Sequence, residues 1–264
     1  MEKHTLKIRQ AQALDEINRQ FYDRFADQFH QTRSHAWTGW RATATQLPTR
    51  ALRVLDIGCG NGRLAQFLQQ TWCEHMGHSV ELFHGLERCA TLLEHAQTRA
   101  LGFDSQWTQW SWSSVLDQPD DAPGLPPNTY DWVTLFGVMH HVYGYERRLN
   151  LLKWAARYLA PGGVLTVSLW DFGAHAKWDK KQLPWADYCD EYGINSELIE
   201  PGDFLLGWSG KIDTPRYCHW VSREEEARML SDLAIDESLN LGPAVRQGDE
   251  NDLNRYWAWV RNHG

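Results

Sequence analysis

The run Val54-Leu55-Asp56-Ile57-Gly58-Cys59-Gly60-Asn61-Gly62 constrains this chain more than any other segment. Leu52 to Ile57 is a short apolar stretch behind a Pro-Thr-Arg turn and reads as a strand. Three glycines follow, and Leu64, Ala65, Phe67 and Leu68 then recur at helical spacing. Strand, glycine loop and helix, in that order, open a doubly wound α/β unit. The glycines let the backbone turn sharply and approach a ligand closely.

The same alternation continues along the chain. A helix is expected over 5–30, where Leu14, Ile17, Phe21, Phe25 and Phe29 recur between charged residues. Val80 to Leu86 reads as a second strand and Ala90 to Ala100 as a helix; a third strand falls between Ser105 and Leu116. Asp117 to Asn128, rich in Asp and Pro, is a loop. Asp131 to Val138 is a continuous apolar run, as in a strand buried on both faces. Glu146 to Leu159 is a helix closed by Ala160-Pro161-Gly162-Gly163, and Val164 to Trp170 is the next strand. Ser222-Arg223-Glu224-Glu225 is a capping-box pattern that opens a helix. Ile235 to Leu241 and Arg255 to Val260 read as the closing strands. Strands alternating with helices predict a parallel, doubly wound sheet with ligands at the carboxyl ends of its strands.

The 264 residues suit one domain, 1–264, with a helical N-terminal cap over 1–50. Residues 171–221, aromatic and rich in proline and glycine, read as an insertion that covers the site. No run of 18 apolar residues is present, so no membrane span is expected. Met1 to Lys7 lacks the apolar core of a secretory signal, which favours the cytoplasm. The five cysteines show no C-x-x-C spacing, so neither a zinc site nor a disulfide framework is expected. A net charge of −8 argues against phosphate binding by the surface at large. A nucleic-acid acceptor then needs a local basic patch or a partner subunit. Lys177, Lys180 and Lys181 form the one modest basic cluster, which a solvated face explains as well. The fifteen tryptophans are expected mainly in core and groove walls.

The glycine pattern has two readings. In a nicotinamide-dinucleotide fold, G-x-G-x-x-G places a pyrophosphate on a helix N-terminus. Here the third glycine comes one residue early, and Asp56 stands two residues before the first. A carboxylate there opposes a pyrophosphate and suits a cationic amino-acid moiety. Glu87 follows the second strand, where an acid can accept both hydroxyls of a ribose.

With Gly85-Leu86-Glu87, Tyr130-Asp131-Trp132-Val133 and Leu159-Ala160-Pro161-Gly162-Gly163, residues 52–170 resemble the class I S-adenosylmethionine (SAM) methyltransferases. The resemblance implies a Rossmann-like α/β fold with a seven-stranded, mostly parallel sheet, an N-terminal helix and an insertion after strand 5. It implies SAM as cofactor. Asp56, Gly58, Cys59, Gly60, Asn61 and Gly62 would line its methionine end, Glu87 its ribose, and Arg88 would flank the adenine. Trp112, Ser113 and Asp117 are the candidates for the adenine edge, and Phe136 and Gly137 would lie beneath the sulfonium. Asp131 is read as a packing or capping residue.

Two further segments are similar to the tRNA methyltransferases that esterify a carboxymethyl group on the wobble uridine. One is Phe21 to Arg33 followed by Trp37. The other is Met139-His140-His141-Val142 with Glu146-Arg147-Arg148 and Val167-Ser168-Leu169-Trp170. Arg216-Tyr217-Cys218-His219 is also similar. By that resemblance Arg33 grips the acceptor carboxylate, His141 orients it or serves as base, and Arg216 and His219 close the pocket. His140 is expected to be packed, and Arg147 and Arg148 to form surface ion pairs. The family's Trp-Ala-x-Glu-Gln reads Trp170-Asp171-Phe172-Gly173 here. The acceptor is therefore a tRNA or a small molecule methylated on O or N. A small activating protein subunit is implied by the resemblance, and a SAM-binding scaffold without turnover is the reading of another class.

Overall fold

The computed structural model describes residues 2–117, 124–208, 211–247 and 253–263. Helices α1 (Glu2–Thr32) and α2 (Thr38–Ala44) precede β1 (Leu52–Ile57). Then come α3 (Arg63–Phe67), β2 (Val80–Glu87), α4 (Ala90–Gln97), β3 (Asp104–Gln109) and α5 (Trp112–Asp117). They are followed by β4 (Tyr130–Leu135), α6 (Tyr145–Ala156) and β5 (Leu159–Trp170). Beyond β5 lie β6 (Gln182–Leu183), α7 (Cys189–Tyr192), β7 (Asp203–Trp208) and β8 (Lys211–His219). Helix α8 (Arg223–Ala234) and strands β9 (Val245–Gln247) and β10 (Asn254–Val260) follow.

One sheet has seven strands in the order β3-β2-β1-β4-β5-β10-β9. Strands β1 to β5 are mutually parallel, whereas β10 runs antiparallel to both β5 and β9. This is the Rossmann-like class I arrangement that the motifs imply. Side chains alternate across it as strand geometry requires. Leu55, Ile57, Val133 and Leu135 enter a core with Leu149 and Leu152 of α6 and Met229 of α8. Val54, Trp132 and Tyr256 point the other way, against Trp40 of α2 and Leu64 and Phe67 of α3. All six residues of β4 are buried, as the unbroken apolar run predicts for a strand covered on both faces. Among the described residues no helix is long and apolar enough to cross a membrane.

The end of the chain departs from its sequence reading. Ile235 to Leu241 is not a strand. Leu239 is buried while Ile235 is 74% exposed, and Glu237–Leu239 forms a 3-10 turn. Asn240 takes a left-handed φ of 49°, which breaks any strand there. The edge strand is instead β9. Helix α6 stops at Ala156, and Ala160-Pro161-Gly162-Gly163 lies within β5, opposite a register shift between Tyr130 and Trp132. Strand β4 ends at Leu135 because Gly137 turns the chain with φ +76°. Residues 118–123 of the expected loop lie outside the described residues.

Residues 171–221 are more regular than their sequence suggests. They carry a second, antiparallel sheet in the order β6-β7-β8. Leu205 and Tyr217 face α1, packing on Ala11, Leu14 and Ile17. Leu206 and Cys218 face Phe172 on the opposite side. Both faces are covered, so consecutive residues are apolar and no period of two is visible.

Candidate active site

A cavity of about 540 Å³ opens at the carboxyl ends of β1, β2 and β4. Its lining comes from α1, the glycine loop, the β2 and β4 ends and the segment after β5. That is the crevice where open α/β sheets take ligands.

The glycine loop forms one end. Gly60 has φ +55°, a conformation that disfavours any side chain, and a Cβ there would meet no atom within 4 Å. The space above it belongs to the cavity. Gly58 is different: with φ +75° it packs so closely that a Cβ would lie 2.5 Å from Val138. Cys59 is buried and its amide donates to the Leu86 carbonyl at 3.0 Å, stitching the loop to β2. Asn61 is buried, with its amide nitrogen 3.2 Å from the Arg33 carbonyl and its Oδ1 without a protein partner among the described residues.

Two carboxylates converge on this end. Asp56 is 3% exposed and accepts a hydrogen bond from Thr134 Oγ1 at 2.6 Å. Burial pushes its carboxyl up to about 7, against that hydrogen bond. Glu87 accepts from the Gly60 amide at 3.0 Å and from the Cys89 amide at 2.8 Å. Burial raises its pKa as well, against the pull of those two amides. Each carboxylate keeps lone pairs for a ligand, and no ion pair holds either one among the described residues. The cationic Arg63 on the cavity wall is turned to Trp37 and Trp40, 5.2 and 5.7 Å from their ring centres. A buried, uncompensated carboxylate beside open space fits the ammonium of a SAM methionine moiety. Glu87, one strand over, is placed for hydroxyls.

The expected adenine edge divides. Trp112 is on the wall, joined by Trp110, which the sequence reading missed. Trp110 stacks on Trp154 at 5.0 Å, so its own plane is fixed. Ser113 is not on the wall; its hydroxyl lies 2.8 Å from that of Ser111. The Asp117 side chain lies outside the described residues. Arg88 lines the cavity while donating to the Asp15 carbonyl at 3.0 Å, which ties α1 to the site. Phe136 sits at the β4 end within an aromatic wall of Trp37, Trp40 and Tyr256. Asp131 is distant from the chemistry: it accepts from the Arg53 amide at 2.8 Å and pairs with Arg50.

At the other end Arg33, His140, His141 and Arg216 come together with Asn18, Tyr22, Trp170 and Trp178. Arg216 is 5% exposed and makes no ion pair with a carboxylate among the described residues. Its guanidinium lies 5.2 Å from the Phe21 ring centre, 5.3 Å from Trp170 and 5.4 Å from Trp208. Burial disfavours its charge, but Cys218 and Tyr22 beside it hold its pKa above the ordinary arginine value. Arg33 stands over Phe29 at 5.3 Å and over Trp208 at 5.4 Å. Burial, and then the charge of Arg216, push the Arg33 pKa down. Two guanidinium groups thus face one cavity, and both approach Trp208.

His141 is fully engaged. Its Nδ1 is 3.0 Å from the Tyr217 carbonyl, which can only accept, and 3.2 Å from the Asn18 amide; Nδ1 carries the hydrogen when that amide turns its otherwise unpartnered Oδ1 toward the ring. Nε2 then accepts from the Tyr22 hydroxyl at 2.9 Å. Burial, and then Arg216, lower its pKa to about 3. The imidazole is therefore a neutral brace for Tyr22. His140 is buried beside it and also lines the cavity, contrary to a purely packed role.

Two other expectations are corrected. His219 does not reach the cavity. Its ring bridges Asp203 at 2.7 Å and Glu225 at 2.8 Å, and those two hydrogen bonds raise its pKa against burial. Arg148 is no surface residue: at 1% exposure it pairs with Glu225 at 2.7 Å and donates to the Val142 carbonyl at 2.8 Å. Arg147 lies 3.6 Å from Asp15 in a largely covered pair. Where the family pattern differs, Asp171 accepts from Trp220 at 3.0 Å and serves structure.

Asn18 and Tyr22 were legible only in part. They sit one turn apart on the apolar face of α1, where a polar residue among Ile17, Phe21 and Phe25 is the one available signal.

Comparison with known proteins gives the family and the fold. A methyltransferase-domain family model matches residues 9–204. A protein of Encephalitozoon cuniculi with a provisional methyltransferase name is 29% identical over 212 residues, covering 80% of this chain and 83% of that one. A tRNA (carboxymethyluridine(34)-5-O)-methyltransferase of Schizosaccharomyces pombe is 28% identical over 156 residues. That match covers 59% of this chain and 58% of the yeast enzyme, so the chain spans less than two thirds of it. A SAM-dependent methyltransferase structure from Methanosarcina mazei superposes with a TM-score of 0.57 at 15% identity, over 84% of this chain and 98% of that one, and supports the fold. The chain belongs to the methyltransferase-domain family and is a SAM-dependent methyltransferase of the class I fold.

Proposed function

We propose that this enzyme methylates a carboxylate on a modified tRNA uridine, forming a methyl ester. One observation carries the reading: Arg33 and Arg216 face the cavity without any carboxylate partner among the described residues. Arg216 is buried and Arg33 partly covered; a cation withdrawn from water without an anion is costly, and an acceptor carboxylate relieves that cost for both. Guanidinium groups suit it because they bind carboxylates through paired N–H donors. The relative from Schizosaccharomyces pombe carries a matching substrate in its name.

In this proposal Asp56 holds the cofactor's ammonium, Glu87 its ribose hydroxyls, and Trp110 and Trp112 border the adenine. SAM supplies a methyl group already activated on sulfonium. A carboxylate is ionised near neutral pH, so no base is required. Arg33 and Arg216 orient the acceptor oxygen toward the β4 end, and the aromatic wall excludes water. With SAM bound, the carboxylate oxygen would take the methyl group, and sulfur would leave with the bonding pair of the broken carbon–sulfur bond. Tyr22, fixed by His141, positions the arginine side of the pocket. A small activating subunit belongs to the proposal, so the enzyme is assayed both purified alone and as isolated with its native companions.

A second reading, a small-molecule acceptor, is favoured by the closed aromatic wall of Trp37, Trp40 and Phe136. The test uses SAM with a labelled methyl group and tRNA from cells lacking this chain. Label in a uridine derivative supports the proposal. Label only in small metabolites supports the second reading, and absence of S-adenosylhomocysteine in every assay overturns both.

A further inference from the structure

The turn Ala176–Lys181 lies at the mouth of the cavity and has no role in the chemistry above. Its Trp178 is half-buried and lines the cavity, with the indole ring at 86° to that of Trp170 and 4.7 Å away. Trp170 in turn borders Arg216 at 5.3 Å. An aromatic path thus leads from the buried arginine to the surface. At its outer end two exposed lysines stand over Trp178: Lys181 Nζ is 4.4 Å from the ring centre and Lys177 Nζ 5.8 Å. Neither lysine pairs with a carboxylate among the described residues, and the turn's one acid, Asp179, accepts from Gln182 at 3.3 Å. The indole Nε1 of Trp178 is buried and has no acceptor among the described residues.

We propose that this turn binds the RNA strand next to the acceptor nucleotide: Trp178 stacks on the neighbouring base, and Lys177 and Lys181 take its flanking phosphates. The inference rests on the tRNA reading of the cavity. An aromatic face flanked by mobile cations is the usual platform for single-stranded nucleic acid. The ammonium groups rest on the ring in the free protein, an arrangement weak enough at an exposed site to yield to phosphate. The chain's net charge of −8 makes such a local patch the means by which a polyanion approaches. A free phosphate or a small carboxylate would use the lysines but not the ring.

The test measures binding of an anticodon stem–loop RNA across a salt series, for the full chain and for Lys177→Ala/Lys181→Ala. Losing two phosphate contacts should lower the slope of log affinity against log salt by about 1.4 and weaken binding roughly tenfold at low salt. Trp178→Ala should also weaken RNA binding roughly tenfold while leaving the salt slope intact, with Trp178→Phe restoring most of it. SAM binding, and turnover of the 5-carboxymethyluridine nucleoside, which bears the carboxylate without phosphates, should be unchanged in the double lysine variant. An unaltered slope and affinity in that variant overturn the proposal. An altered slope in an enzyme that methylates neither the RNA nor the nucleoside leaves the binding surface standing and removes the tRNA-carboxylate reading instead.

Discussion

Arg33 and Arg216 share one indole: each guanidinium is 5.4 Å from the ring centre of Trp208. They come from the end of α1 and from β8, 183 positions apart in sequence, and neither has a carboxylate partner among the described residues. Trp208 supports both like charges through its π system. This arrangement is strained electrostatically until an anion enters.

Removing either arginine should therefore cost turnover and spare the cofactor. Arg33→Ala and Arg216→Met are expected to lower kcat/KM roughly 10- to 100-fold, the loss of one charge-assisted contact. SAM affinity by calorimetry should stay unchanged. Arg216→Lys should not rescue, since an ammonium lacks the planar fork. Normal turnover in Arg33→Ala would remove it from the acceptor site.

Asp56 links SAM binding to pH. Its carboxyl sits at about 7 in the free protein, so part of the population is protonated at neutral pH. A cationic ligand favours the ionised form. SAM affinity should rise as pH climbs through about 7 and then level off, and Asp56→Asn should flatten the profile and weaken binding. A wild-type affinity independent of pH from about 6 to 8 would disconnect Asp56 from the ammonium.

His141 predicts no such pH dependence for the rate. Held neutral with its pKa near 3, it cannot serve as a base that switches on above its ordinary pKa. Turnover should be nearly flat from about pH 6 to 9. A steep rise through about pH 6.5 would identify a histidine base. In stability the buried neutral ring contributes above its unfolded pKa, and that contribution is lost as pH falls below about 6.5 toward 3.

His219 behaves differently because both ring nitrogens meet carboxylates. Its pKa is raised, so its contribution is complete below the unfolded value and disappears as pH rises through the folded one. His219→Gln should lower Tm most at acidic pH and least at alkaline pH. A Tm difference that does not change with pH would show that the ring is uncharged. Arg148→Met in the same network should cost about 1–3 kcal/mol of stability, since it leaves Glu225 with His219 alone and the Val142 carbonyl without its donor.

Gly60→Val tests the loop. The side chain would enter open space in a left-handed backbone, at a strain of about 1–3 kcal/mol. The variant should fold, with reduced stability, and fail to bind SAM. Retained affinity in a folded variant would place the cofactor elsewhere.

The sheet was legible because its signals are local. Asp56 and the three glycines mark a strand–loop–helix turn, and the apolar run at β4 marks a strand covered on both sides. The acceptor half was legible only through resemblance. Trp208 earns its role from pairing in a second sheet whose apolar residues show no period, and Asn18 and Tyr22 matter only because α1 packs against β8. Ser113 and His219 carried plausible chemistry in sequence, yet Ser111 and the Asp203–Glu225 pair already satisfy them. Ile235 failed as a strand because Asn240 turns the backbone left-handed. Long-range contacts decide the acceptor half, whereas Ser113 and Asn240 are settled by their immediate neighbours.

The most direct measurement concerns the product bond. After turnover with methyl-labelled SAM and tRNA, nucleosides are analysed by mass spectrometry before and after mild alkali. A methyl ester on the uridine side chain should appear as one added methyl group and should be lost in alkali, returning the free carboxylate. A transferred methyl that survives alkali, on nitrogen or as an ether, would contradict the carboxylate acceptor that Arg33 and Arg216 are proposed to hold.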